Sequence, residues 1–109
     1  MKIETDTKAI EKAKQIAQQT NLGKQSGLTY NEMLEAAQIL ILNALSSGGE
    51  RTDSELFSLS GMNLNYACGV LCNARDILVK RGIVSKEHRM VDHVSMHFYA
   101  LQGAPLLPK

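Results

Sequence analysis

Tryptophan is absent from this chain and aromatic residues make up only 5% of it, so no aromatic cluster can organise the interior. The core must rest on Leu, Ile, Val, Ala and Met, and an apolar share of 44% suffices for one compact domain of 109 residues. Cysteine occurs only as Cys68 and Cys72, four apart in one stretch, which is no disulfide framework. Long hydrophobic runs are also missing. The longest, residues 36–45, is broken by Gln38 and Asn43 and falls far short of a bilayer span. Residues 1–6 contain no apolar stretch of the kind a signal peptide needs, so a cytoplasmic protein is expected. There is no Walker loop, no Gly-x-Ser-x-Gly elbow and no His-Glu-x-x-His, so neither catalysis nor a cofactor is expected.

Net charge is only +1, but its distribution is uneven. Residues 1–27 hold five cations against three anions, residues 28–61 one against five, and residues 62–109 six against three. A basic C-terminal half behind an acidic middle is the asymmetry expected of a chain whose C-terminal half faces a polyanion.

Three regions follow from the pattern: an N-terminal helix and flexible joint (1–27), a main domain (28–101) and an extended tail (102–109). Residues 5–20 carry a thin apolar stripe, Ile10, Ala13, Ile16 and Ala17, on a Gln- and Lys-rich helix. Ile3, Ile10 and Ala17 lie seven apart, as in a coiled-coil seam. Such a stripe needs a partner surface, which its own domain or a dimer mate would supply. Two glycines, Gly23 and Gly27, mark the joint. Thr29 with Glu32 has capping-box spacing and opens a helix whose broad apolar face includes Met33, Leu34, Ala37, Ile41, Leu42 and Leu45. Thr52 with Glu55 repeats the signal ahead of a short helix, in which Leu56, Phe57 and Leu59 are expected to face the core.

The stretch from Ser60 to Leu101 organises the rest. A polar turn (60–63) leads into a long helix (64–81) with Asn63 as its N-cap. Ala67, Leu71, Ala74 and Leu78 recur at four, three and four, which makes them the inward stripe. Asn65, Tyr66, Gly69, Asn73, Arg75 and Asp76 fall largely on the other side. Eighteen helical residues span roughly 27 Å, enough to lie across a major groove. Gly82 ends the helix, and strands over 83–87 and 94–101 follow. In the second, Val94, Met96, Phe98 and Ala100 share one face, while Ser95, His97, Tyr99 and Leu101 share the other. Residues 89–92 are expected to form the tip between the strands. The fold class is mainly α with a small β-hairpin (α+β): a winged helix-turn-helix preceded by an extra N-terminal helix.

Residues 40–45 with Gly48-Gly49 and Thr52-Asp53-Ser54-Glu55-Leu56 resemble the first two helices of small bacterial winged-helix regulators. Leu78-Val79-Lys80-Arg81-Gly82-Ile83-Val84 resembles their passage from recognition helix to wing. The likeness covers about residues 34–101 and does not separate MarR-like from PadR-like repressors. It implies double-stranded DNA as partner and a homodimeric repressor, with the long helix in the major groove and the wing on the backbone. Asn65, Tyr66 and Asn73 would then approach base edges, since Asn amides pair with adenine, with Asn63 and Gly69 on the same DNA-binding surface and Gly69 permitting close backbone approach. Arg75, Lys80, Arg81, Lys86 and Arg89 would contact phosphate, Lys80 and Arg81 having the helix C-terminal dipole as an alternative partner. Two departures stand out: few cations precede Arg75, and Gly69 sits mid-helix at a cost of about 1 kcal/mol relative to Ala.

Cys68 and Cys72 share a helical face and are candidate ligands for a thiophilic metal. Two thiolates do not complete a tetrahedral zinc site, and buried free cysteine commonly acts as a small hydrophobe. His88, His93 and His97 could in principle supply more ligands, but they sit on the hairpin. The three also raise pH sensing, with which ordinary polar facing competes, His93 and His97 being four apart. A winged-helix module that binds protein instead of DNA is the alternative, since one fold hosts many functions.

Overall fold

The computed structural model describes residues 7–102. Its elements in chain order are α1 (Thr7–Gln19), a 3-10 segment (Thr20–Ser26), α2 (Tyr30–Leu45), β1 (Arg51–Thr52), α3 (Asp53–Ser60), α4 (Leu64–Lys80), β2 (Val84–Val91) and β3 (Val94–Leu101). The strands form one antiparallel sheet in the order β1-β3-β2. Helix, short strand, helix, helix and hairpin is the element order of a winged helix-turn-helix, with α1 added in front. The hairpin expected from the sequence is therefore widened to three strands. β1 is only two residues long, too short for an alternation to announce it.

Local sequence explains where the helices start. Thr29 accepts from the Glu32 backbone N–H while the Glu32 carboxylate accepts from the Thr29 N–H, and Thr52 with Glu55 does the same for α3. Each pair satisfies two amides that would otherwise lack an intrahelical partner. These bonds hold the Glu32 and Glu55 carboxyls below their usual range. Asn63 caps α4 by accepting from the Asn65 N–H at 3.0 Å. Gly61 closes α3 in the left-handed region, with φ of 73°, where a side chain would be strained.

The core gathers on α2, where Ala37, Ile41 and Leu45 are fully buried, and on the inward stripe of α4, where Ala67, Leu71, Ala74 and Leu78 are fully buried. Leu56 of α3 joins them, but Leu59 is 53% exposed, so only part of the apolar face expected there turns inward. Eight residues make little more than two turns, and Leu59 lies about 100° around the axis from Ser58 and Ser60, past the edge of the buried side. In β3 the face carrying Tyr99 meets the core: Tyr99 is 1% exposed and Val84 stands opposite Leu101.

Helix α1 packs along α2 within the same chain and buries Ala13 and Ala17. Ile10 is half-buried against the same core, whereas Ile3 lies outside the described residues, as does the tail from residue 103. The joint expected over 22–27 falls in a kinked 3-10 segment, Thr20–Ser26, whose first residue, Thr20, expected as the end of the N-terminal helix, is buried. The Thr20 hydroxyl donates to the Ala17 carbonyl and accepts from the Asn63 N–H at 2.8 Å. The N-terminal segment thus reaches the cap of α4. Among the described residues no helix is long and apolar enough to cross a membrane.

Candidate nucleic-acid interface

With its inward stripe covered, α4 presents Leu64, Asn65, Cys68, Gly69, Asn73, Asp76 and Lys80 to solvent, flanked by half-buried Tyr66 and Cys72. This strip is polar in amides and thiols and poor in charge. Asn65 is exposed, and its backbone N–H is taken by the Asn63 cap. The Asn63 side-chain oxygen is accordingly spent on the helix start, leaving its amide nitrogen as the group aimed elsewhere. Asn73 donates from Nδ2 to the Tyr30 hydroxyl at 2.6 Å, so its amide is held in place by the first turn of α2. At Gly69 an added Cβ would meet nothing within 4 Å, so no neighbour in the chain demands a glycine there.

Arg75 departs from its expected place. Its side chain is only 15% exposed and its guanidinium bonds Asp53 at 2.7 Å and Asp76 at 2.9 Å. It also lies over the rings of Phe57 and Tyr99, at 5.9 and 5.5 Å from their centroids. Burial opposes its charge, but the bonds to the two carboxylates outweigh that and raise its pKa. Arg75 is therefore a clamp joining α3, α4 and β3, and its charge is answered inside the protein. Apart from the adjacent Asp76, the partners lie 18 and 22 residues upstream and 24 downstream, so helical periodicity alone could not reveal them. Beside it, burial pushes the Tyr99 phenol up to about 12, with Arg75 pulling the other way.

Arg89 is likewise engaged. It is not in the turn but in β2, opposite Met96, and it bonds Glu87 at 2.8 Å, pairs with Glu50 and stacks on Phe98 at 4.5 Å. The turn is instead Asp92-His93, both at positive φ (50° and 67°), a two-residue connection whose twist suits a hairpin. Neither residue is glycine, which is why the sequence points elsewhere for the tip. Lys80 on α4 and Lys86 on β2 are exposed and without an ion pair among the described residues. Exposed Lys8, Lys12, Lys14 and Lys24 of the N-terminal segment are likewise without an ion pair among the described residues. The wing end is apolar: Met90 is 63% and Val94 58% exposed.

Cys68 is exposed and Cys72 half-buried, and burial pushes the Cys72 thiol up, Arg75 notwithstanding. Among the described residues no three His, Cys, Asp or Glu side chains converge on a point where a metal could sit. The two thiols therefore stand without further ligands. No protein-family model, curated protein or solved structure matches the chain.

Proposed function

We propose that the chain is a sequence-specific DNA-binding transcriptional regulator, acting as a homodimeric repressor, with α4 in the major groove and the β2–β3 wing against the backbone. The observation that carries this reading is the exposed strip of α4. It is an amide-bearing surface about 25 Å long whose only charges, Asp76 and Lys80, lie in its C-terminal half, set on a helix whose other side is buried. Asn65 and Asn73 are the base-reading candidates, Asn73 with its amide oriented by Tyr30, and Tyr66 flanks them. Gly69 offers the closest backbone approach on the strip. Phosphate contacts fall to Lys80 and Lys86, because Arg75 and Arg89 are already paired. Since α1 spends Ala13 and Ala17 on its own domain, a dimer seam would use a different surface.

Fluorescence anisotropy of labelled duplexes, including the chain's own upstream region, over a salt series tests this. Tight binding to one duplex, resistant to competitor, is the expected outcome. Its salt slope should be shallow, because each neutralised phosphate contributes about −0.9 to it and α4 and the wing keep few cations for such contacts. Lys86→Ala should reduce that slope by about one, and Arg89→Ala by less.

A second reading, a winged-helix protein-interaction module, is favoured by the apolar wing end at Met90, Val91 and Val94 and by the internal pairing of both arginines. No salt-sensitive binding to any duplex would decide for it.

A further inference from the structure

His88 and His97 are direct partners across β2 and β3, so their side chains leave the wing on the same face. Their ring centroids are 5.3 Å apart and the ring planes are inclined by 47°. Lys86 and Met90 flank His88 on that face, and Ser95 and Tyr99 flank His97. The Ser95 hydroxyl meets Nε2 of His88.

The separation of the two centroids fits a chelate. An imidazole nitrogen sits about 2.0–2.1 Å from zinc, and two rings ligating one tetrahedral ion have centroids about 5 Å apart. Metal-bound imidazole commonly carries a hydrogen bond at its other nitrogen, which orients the ring. The Ser95 hydroxyl supplies such a bond to His88 and leaves one ring nitrogen available. We infer that His88 and His97 form a bidentate site for a divalent transition-metal ion of the zinc, nickel and copper class, with water in the remaining positions. No third His, Cys, Asp or Glu converges among the described residues, so the site is open and exchanges its ion readily. A bound ion would clip β2 to β3 beyond the part of the sheet that the core supports. This holds whether or not α4 reads DNA.

The test is a zinc titration of the full chain, followed by calorimetry and by the NMR signals of the histidine rings. A parallel titration of the Cys68→Ser/Cys72→Ser double variant separates the wing from the thiols. His93, in the turn, is the internal control. One ion per chain, with the His88 and His97 rings shifting together and His93 unmoved, is the expected result, unchanged in the double variant. His88→Asn and His97→Asn, on different strands, should each weaken binding about tenfold or more, since one imidazole remains. The site is refuted if the three rings shift alike or not at all. It is equally refuted if neither histidine variant weakens zinc, or if removing the thiols abolishes the binding.

Discussion

Gly69 and Arg75 stand six residues apart on the same helix and carry opposite lessons. Gly69 is a residue without a structural reason: it sits in a helix interior, at ordinary helical φ, with open space where its Cβ would be. Gly69→Ala should therefore stabilise the fold, by up to about 1 kcal/mol in urea denaturation. If the strip it belongs to lies against DNA backbone or bases, the same substitution should weaken operator binding while raising stability. A variant that gains in both, or changes neither, would remove Gly69 from the interface. Asn63 and Asn73 belong to an intermediate class, because each already makes a bond within the chain that fixes what it can offer outward. Sequence could nominate them by position but could not say which amide atom was already engaged.

At the scale of elements, the Arg75 clamp does what no single helix could. Its guanidinium ties the first turn of α3, through Asp53, to α4 and to the Tyr99 ring of β3. The clamp thus adds to the core contact of Leu56 in holding α3 against α4. Arg75→Met should cost about 2 kcal/mol, since charged hydrogen bonds are lost and Asp53 is left without its cation. Arg75→Lys should recover only part of this, because an ammonium cannot bond two carboxylates in a fork while stacking on rings. Equal stability of the Lys variant and the native chain in chemical denaturation would show that charge alone suffices. The capping boxes at Thr29 and Thr52 are the opposite case. Both were legible because donor and acceptor lie within one turn. The inward stripe of α4 was legible for the same reason, its spacing being set by the helix itself. The two-residue β1 and the Asp92-His93 turn were not, for neither carries the residue pattern that marks a strand or a hairpin turn.

Across the whole molecule, the N-terminal helix is an integral part of the domain and not an appendage. Ala17 lies beneath Gly61, within 3.9 Å of where its Cβ would be, and Thr20 bonds the amide at the start of α4. Helix α4 is therefore braced at its N-terminal end by a residue more than forty positions earlier. Thr20→Val, which keeps the shape but not the hydroxyl, should cost about 1 kcal/mol by leaving the half-buried Asn63 amide without this partner. It should also loosen the first turn of α4, seen as faster amide exchange at residues 63–66 than in the native chain. Unaltered exchange there would mean that the brace is not needed.

By itself the sequence determined where helices begin, which side of α4 faces inward, that a glycine ends it, and that two strands follow. Those features depend on neighbours within a few residues, where spacing and side-chain type are enough. Tertiary structure alone decided which charges remain for a partner. Arg75 and Arg89 look like surface cations along the chain, yet beside their sequence neighbours Asp76 and Glu87 they gain Asp53 and Glu50 once α3, the loop before β1 and the wing are brought together. Likewise only the register of β2 against β3 sets His88 beside His97. The physical reason is common to both: electrostatic and ligand geometry depend on distances in space, and those are fixed only when distant segments pack.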